Sequence, residues 1–169
     1  MEYDEKRWIS LFVENEIGVL ARISGLFSGK SYNLNSLTVG TTEDATISRM
    51  TISLTSDDQT FEQIKKQLNR SIEVIKVIDF TDVSIHMKEL MFIKISSCTQ
   101  QDMIELSHII DVFGVKMIDY DIDHVLIECV QTEQKNNDLI KLFEKVFANR
   151  FSIVRGGSVA VEAISFSER

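Results

Sequence analysis

The stretch WISLFVENEIGVLARISGLF, from Trp8 to Phe27, carries the pattern that decides the fold. Trp8 to Val13 are mostly apolar and include residues that favour strands. Gly18 interrupts the run, and Val19, Leu20, Ile23, Leu26 and Phe27 then fall at helical spacing. The unit is strand, loop, helix. Toward the C-terminus, Leu34, Leu37 and Val39 predict a second strand, the polar stretch Thr41 to Thr46 a hairpin turn, and the alternation of Met50, Ile52 and Leu54 a third strand. From Thr60, Phe61, Ile64, Leu68 and Ile72 recur at near-helical intervals, and the β-branched run Val74 to Phe80 closes the unit as a fourth strand.

The resulting order, βαββαβ, is the ferredoxin-like arrangement, in which two helices cover one face of an antiparallel sheet. The first strand carries Ile9, Leu11 and Val13 on one parity and Phe12 on the other, so the uncovered face is expected to meet a partner surface.

Past residue 88 the same order returns. Leu90 to Ile95 read as strand, Asp102 to Phe113 as helix, Val115 to Ile118 and His124 to Val130 as a hairpin pair, and Phe151 to Val154 as a last strand. The second helix is marked by Leu139, Leu142, Phe143 and Val146. The expected fold class is therefore α+β, with two ferredoxin-like domains at residues 1–82 and 83–169. No proline and no glycine-rich linker marks the boundary, which falls near Asp82 to Lys88.

A chain of 169 residues with 44% hydrophobic and 26% charged residues has material for ordinary cores. Its net charge of -8 opposes a nucleic-acid surface unless a local basic patch overcomes it, and no such patch stands out. The acidic opening Met1 to Glu5 and the absence of a long apolar run predict a cytoplasmic protein without a membrane segment. Cys98 and Cys129 are too few and too far apart for a metal knuckle or redox pair, and are expected to be reduced and partly buried.

Chemistry is best placed in Glu14-Asn15-Glu16-Ile17-Gly18, which opens the first helix. Unpaired N–H groups and the helix dipole there suit a carboxylate, such as that of a free amino acid. Gly18 lets backbone approach a ligand, and Asn15 offers both a carbonyl oxygen and an amide. A plain turn with a glycine N-cap would look the same from these residues alone. Asn33, just past the helix, likewise suits a chain leaving a helix.

Specificity comes from longer matches. Val13 to Ser28, then Tyr32-Asn33-Leu34-Asn35-Ser36-Leu37-Thr38-Val39 and Ile47-Ser48-Arg49-Met50-Thr51-Ile52, resemble the ACT domain of acetolactate synthase small subunits. The likeness continues more weakly through Glu89 to Ile95 and Val154 to Ala160, and so spans nearly the whole chain.

This resemblance implies a regulatory subunit in branched-chain amino-acid biosynthesis, with N-terminal ACT domains that pair side by side through their sheets into a homodimer and bind valine at the interface. It implies Asn15 and Gly18 as ligand residues, with Asn33 supplied by the paired subunit. Val13, Ile17, Val19, Leu20 and Val39 would add backbone contacts or apolar walls. It further implies no catalytic residue and no cofactor in this chain. The partner would be the catalytic large subunit, carrying thiamine diphosphate, magnesium and FAD, which the small subunit activates and makes sensitive to valine. Ser31, where the family commonly has glycine, and Ile17, where many relatives have a smaller residue, depart from the pattern.

A stand-alone ACT-type sensor, regulating another enzyme or a transcription regulator, would share this fold and pocket. An acylphosphatase-like enzyme would need an arginine within Glu14 to Gly18, where two carboxylates stand instead. An RRM-type RNA binder would need gathered aromatics on its strands. Asp119, Asp121 and Asp123 alternate as in a calcium loop, but the sixth position is His124 and the twelfth Val130, so a solvated turn is expected. His86, His108 and His124 show no metal-ligand spacing.

Overall fold

A computed structural model describes residues 4–28 and 32–164; Ser31 lies outside the described residues. By its internal contacts the chain divides into two compact units, one running to His86 and including the residues from Val159, the other running from Met87 to Ser158.

The first unit contains β1 (Glu5–Glu14), α1 (Val19–Ser28), β2 (Leu34–Thr41), β3 (Ile47–Ser56), α2 (Asp58–Leu68) and β4 (Val74–Asp79). Its antiparallel sheet has the order β2-β3-β1-β4. Ile9, Leu11 and Val13 alternate along β1 onto the helix side, opposite Ile52, Met50 and Ser48 of β3. They are 0% exposed and pack with Val19, Ile23 and Phe27 of α1 and Phe61, Ile64 and Leu68 of α2. Phe12, of the other parity, is half-buried.

The second sheet and its helices comprise β5 (Ile85–Ile95), α3 (Gln100–Phe113), β6 (Lys116–Tyr120), β7 (Val125–Gln131), α4 (Glu133–Val146) and β8 (Phe151–Glu162), in the sheet order β6-β7-β5-β8; all fall in the second unit except the start of β5 and the end of β8, which fall in the first. Met91, Ile93 and Ile95 of β5 share a core with Leu106 of α3 and with Leu139 and Phe143 of α4. The opposite parity of this sheet leaves Leu90, Val130 and Val154 40%, 47% and 68% exposed. The fold class and both βαββαβ patterns match the sequence reading.

Three local expectations need correction. Ile72 is not part of the second helix: α2 ends at Leu68, and Ile72 is 92% exposed in the turn that returns the chain to β4. Glu14 N–H donates to Glu73 C=O at 3.0 Å, so the chain must already run beside β1 at that point and cannot continue helically. The last strand does not stop at Val154 but extends to Glu162, because pairing continues past Gly156 and Gly157. Gly157 has φ 78°, a local irregularity that obscures the alternation in sequence. Asp119 belongs to β6 rather than to the turn, which begins at Asp121, whose N–H donates to His124 C=O.

Candidate functional site

Asn15 ties the loop between β1 and α1 to the β2–β3 hairpin through both its backbone and its side chain. Asn15 donates from its backbone N–H to Thr46 C=O at 2.7 Å and from Nδ2 to Ala45 C=O at 2.9 Å, while its Oδ1 accepts from Ser48 Oγ at 3.0 Å. The hairpin is itself firm: Asp44 accepts from the hydroxyl and the N–H of Thr46, and these bonds hold its carboxyl below the usual carboxylate range. Asn15 therefore fixes where the loop stands. One lone pair on Oδ1 and one N–H on Nδ2 remain beyond these bonds.

Gly18 follows at φ 87°, the left-handed region that glycine enters at little cost, and Arg22 N–H donates to its carbonyl at 2.9 Å. As the residue preceding the helix, Gly18 has no side-chain oxygen with which to cap the first amides. The first turn of α1 carries no acid. What stands beside it is a cation. A Cβ built on Gly18 would lie 3.6 Å from a terminal nitrogen of Arg22, whose Nε is ion-paired with Glu73 at 2.6 Å. The macrodipole and this guanidinium both favour an anion at the helix opening.

Arg22 escapes a reading confined to the loop. The signal for it is spacing: four residues past Gly18 on a helix, a side chain leans back over the preceding turn. Glu73 is invisible at that level, since only the return of β4 beside β1 brings it there.

The site residues expected from sequence separate into three groups. Asn15 and Gly18 share the exposed loop. Val13 and Val19 are 0% and 2% exposed and belong to the core, so only their backbone faces the loop; Leu20 and Val39 are 44% and 46% exposed, and Ile17 is fully exposed. Asn33 lies elsewhere in the unit. It precedes Leu34, which pairs with Leu54, whereas Asn15 bonds Ser48 at the other end of β3, six residues or about 20 Å away. One chain does not bring Asn33 to Asn15 and Gly18.

The corresponding helix of the second unit opens differently. Thr99 and Asp102 form a capping box at α3: Asp102 N–H donates to Thr99 Oγ1, and Thr99 N–H donates to Asp102 Oδ2 at 2.7 Å. Arg150 clamps the same carboxylate with bonds of 2.8 and 3.1 Å, and holds it, with help from the Thr99 N–H, far below the usual carboxylate range.

Other chemistry is sparse. Donor atoms of Asp121, Asp123 and His124 lie within 4.8 Å of one another on the turn after β6, with both aspartates exposed. This is short of the protected set of four or more ligands that holds zinc or calcium. Cys98 and Cys129 are buried free thiols, and burial pushes Cys129 up to about 12, away from reactive thiolate. No helix among the described residues is long and apolar enough to cross a membrane.

Residues 9–76 match the family profile of the AHAS small subunit-like ACT domain, and residues 88–164 that of the small subunit of acetolactate synthase. The chain belongs to the acetolactate synthase small-subunit family. It is 41% identical over 156 residues to the acetolactate synthase small subunit of Aquifex aeolicus, covering 92% of this chain and 80% of that protein. To the probable acetolactate synthase small subunit of Archaeoglobus fulgidus it is 39% identical, covering 92% and 96%. The solved acetolactate synthase small subunit from Thermotoga maritima superposes with a TM-score of 0.83 at 28% identity, over 95% of this chain and 99% of that one. Within the small-subunit family, then, the open helix of the first unit lies in the ACT domain, and the plugged helix of the second lies in the C-terminal domain.

Proposed function

We propose that this small subunit activates the catalytic large subunit of acetolactate synthase in the cytoplasm and makes it sensitive to feedback inhibition by valine. It contributes no catalytic residue; thiamine diphosphate, magnesium and FAD belong to the large subunit. The observation that carries this reading is the opening of α1, where a helix start preceded by a residue without a side-chain oxygen, Gly18 at φ 87°, and the Arg22 guanidinium come together in an ACT domain.

The sheet supports the dimeric part. β2 is an edge strand among the described residues, the position from which a sheet extends by pairing with another strand. Antiparallel pairing of two β2 strands about a two-fold axis sets the Leu34 end of one copy beside the Thr41 end of the other. That end lies beside the hairpin held by Asn15, so Asn33 of one copy approaches the Asn15 and Gly18 loop of its partner. The ligand carboxylate then meets the helix amides and Arg22, while Asn33 closes the site across the interface. Inhibition requires valine to favour the dimer arrangement that supports the large subunit less well, by about 1 to 3 kcal/mol.

The test is acetolactate formation by the purified large subunit as this chain is titrated in, with and without valine. Activation that valine suppresses supports the reading, and Asn33→Ala is expected to retain activation while losing suppression. No activation would leave an ACT-type sensor for some other protein as the better description. Unchanged inhibition in Asn33→Ala would remove Asn33 from the site.

A further inference from the structure

The face of the first sheet turned away from α1 and α2 is chemically distinct from the core face. With Ile9, Leu11 and Val13 committed to the core, Trp8, Ser10 and Phe12 point the other way. Register sets Arg49 of β3 and Lys76 of β4 on either side of Phe12, and Lys6 stands 5.1 Å over the Trp8 ring. Three cations with two aromatic rings thus occupy one face of a chain whose net charge is -8.

Small polar residues on this face are hidden. Ser10 and Ser53 are 0% exposed and Thr51 is 4% exposed, although none belongs to the apolar core. Part of their cover comes from the sheet itself, since Ser36 Oγ bonds Ser53 Oγ at 2.9 Å and the Arg49 side chain reaches Ser10. Arg49 also leads beyond the sheet: its guanidinium lies 4.9 Å from the Phe12 ring, its Nε donates to Ser10 Oγ at 2.8 Å, and a terminal nitrogen donates to Glu162 Oε2 at 3.1 Å. Glu162 ends β8, in the segment whose contacts place it with the first unit. Ala160 is 7% exposed while Val159 and Val161 are 59% and 48% exposed, so Ala160 and Glu162 turn the same way along the strand.

We propose that the outer face of the first sheet is a docking surface for an acidic, extended segment, and that the chain's own residues Ala160 to Glu162 occupy it as a latch. The charge pattern selects the occupant: a carboxylate on an extended chain meets Arg49, with Lys76 close enough to act on the same charge. The Glu162 carboxyl is held below its ordinary range by its own backbone N–H, with Arg49 and Lys76 adding to the effect against burial. Ala163 N–H, donating to Ser84 C=O at 2.8 Å, anchors the segment immediately past the latch. While closed, the latch withholds the face from any other acidic segment.

Hydrogen exchange at residues 159–163 of the full chain tests this. Glu162→Arg is expected to speed exchange there by about tenfold or more, and Glu162→Gln by less, since the Gln amide retains a hydrogen-bond acceptor but no charge. The reversed pair, Arg49→Glu with Glu162→Arg, is expected to restore protection to within about threefold of the parent. Unchanged exchange in Glu162→Arg would overturn the latch. So would failure of the reversed pair to recover while its circular dichroism matches the parent. Protection that falls on dilution would overturn occupancy by the chain's own segment and assign the face to the tail of a second copy.

Discussion

The helices that open the two units, α1 and α3, follow their first strands in the same order, yet their first turns are completed in opposite ways. At α3, Thr99 and Asp102 cap the amides and Arg150 neutralises the carboxylate, so the anion that a helix N-terminus favours is already covalently present. At α1 the equivalent positions are Gly18 and Ala21, neither of which has a side chain able to cap, and the arginine nearby pairs from the side with Glu73. A fold used twice carries an acid in the first helical turn of one copy and none in the other. The difference lies in side chains at two positions, not in topology.

The largest effect is expected from moving the plug. Ala21→Asp places a carboxylate three residues past Gly18, as Asp102 stands past Thr99, and should weaken the valine response on the order of a hundredfold through repulsion at close range. Unfolding measurements should show stability unchanged or raised by about 0.3 to 1 kcal/mol, because an acid in the first turn suits the dipole. A variant that still responds to valine at the parental concentration would break the comparison.

The reciprocal change, Asp102→Ala, should lower stability by about 2 kcal/mol in urea titrations, through loss of the capping box and of the carboxylate that partners Arg150, while leaving the valine response within about twofold. Because Asp102 is depressed in the folded state, its contribution is complete above the unfolded value near pH 4 and is lost as pH falls toward the lower folded value. The stability gap between parent and variant should therefore narrow below about pH 4; a constant gap across that range would show that the charge of Asp102 is not what the helix uses.

Smaller effects sharpen the picture at α1. Gly18→Ala forces a Cβ into the left-handed region and should cost about 1 kcal/mol in the same unfolding assay. Arg22→Met removes an ion pair whose Glu73 side chain is 19% exposed and whose Arg22 side chain is 54% exposed, so stability should fall by no more than about 1 kcal/mol. Valine sensitivity should nevertheless fall about threefold at low salt, with the difference shrinking as salt screens the guanidinium in the parent. Equal sensitivity at low salt would remove Arg22 from the site.

Much of the fold was legible because core positions recur with the periods of their elements: Ile9, Leu11 and Val13 at two, Val19, Ile23 and Phe27 at helical intervals. The reading failed where a residue kept the period without the structure, as Ile72 does, or where structure continued without the period, as β8 does past Gly157. At the site, Asn15 and Gly18 were legible as a loop, but the bonds that occupy Asn15 were not, since Ala45 and Ser48 reach it only through sheet pairing. The same holds for Glu73 beside Arg22 and for Glu162 beside Arg49, each brought near by tertiary contacts that leave no periodic trace.

The most direct measurement is a calorimetric titration of valine into the parent chain, Ala21→Asp and Asp102→Ala. One valine bound per chain in the parent and in Asp102→Ala, with none in Ala21→Asp, is the expected result. Two valines per chain, or undiminished binding to Ala21→Asp, would contradict the assignment of the ligand to the open helix of the first unit.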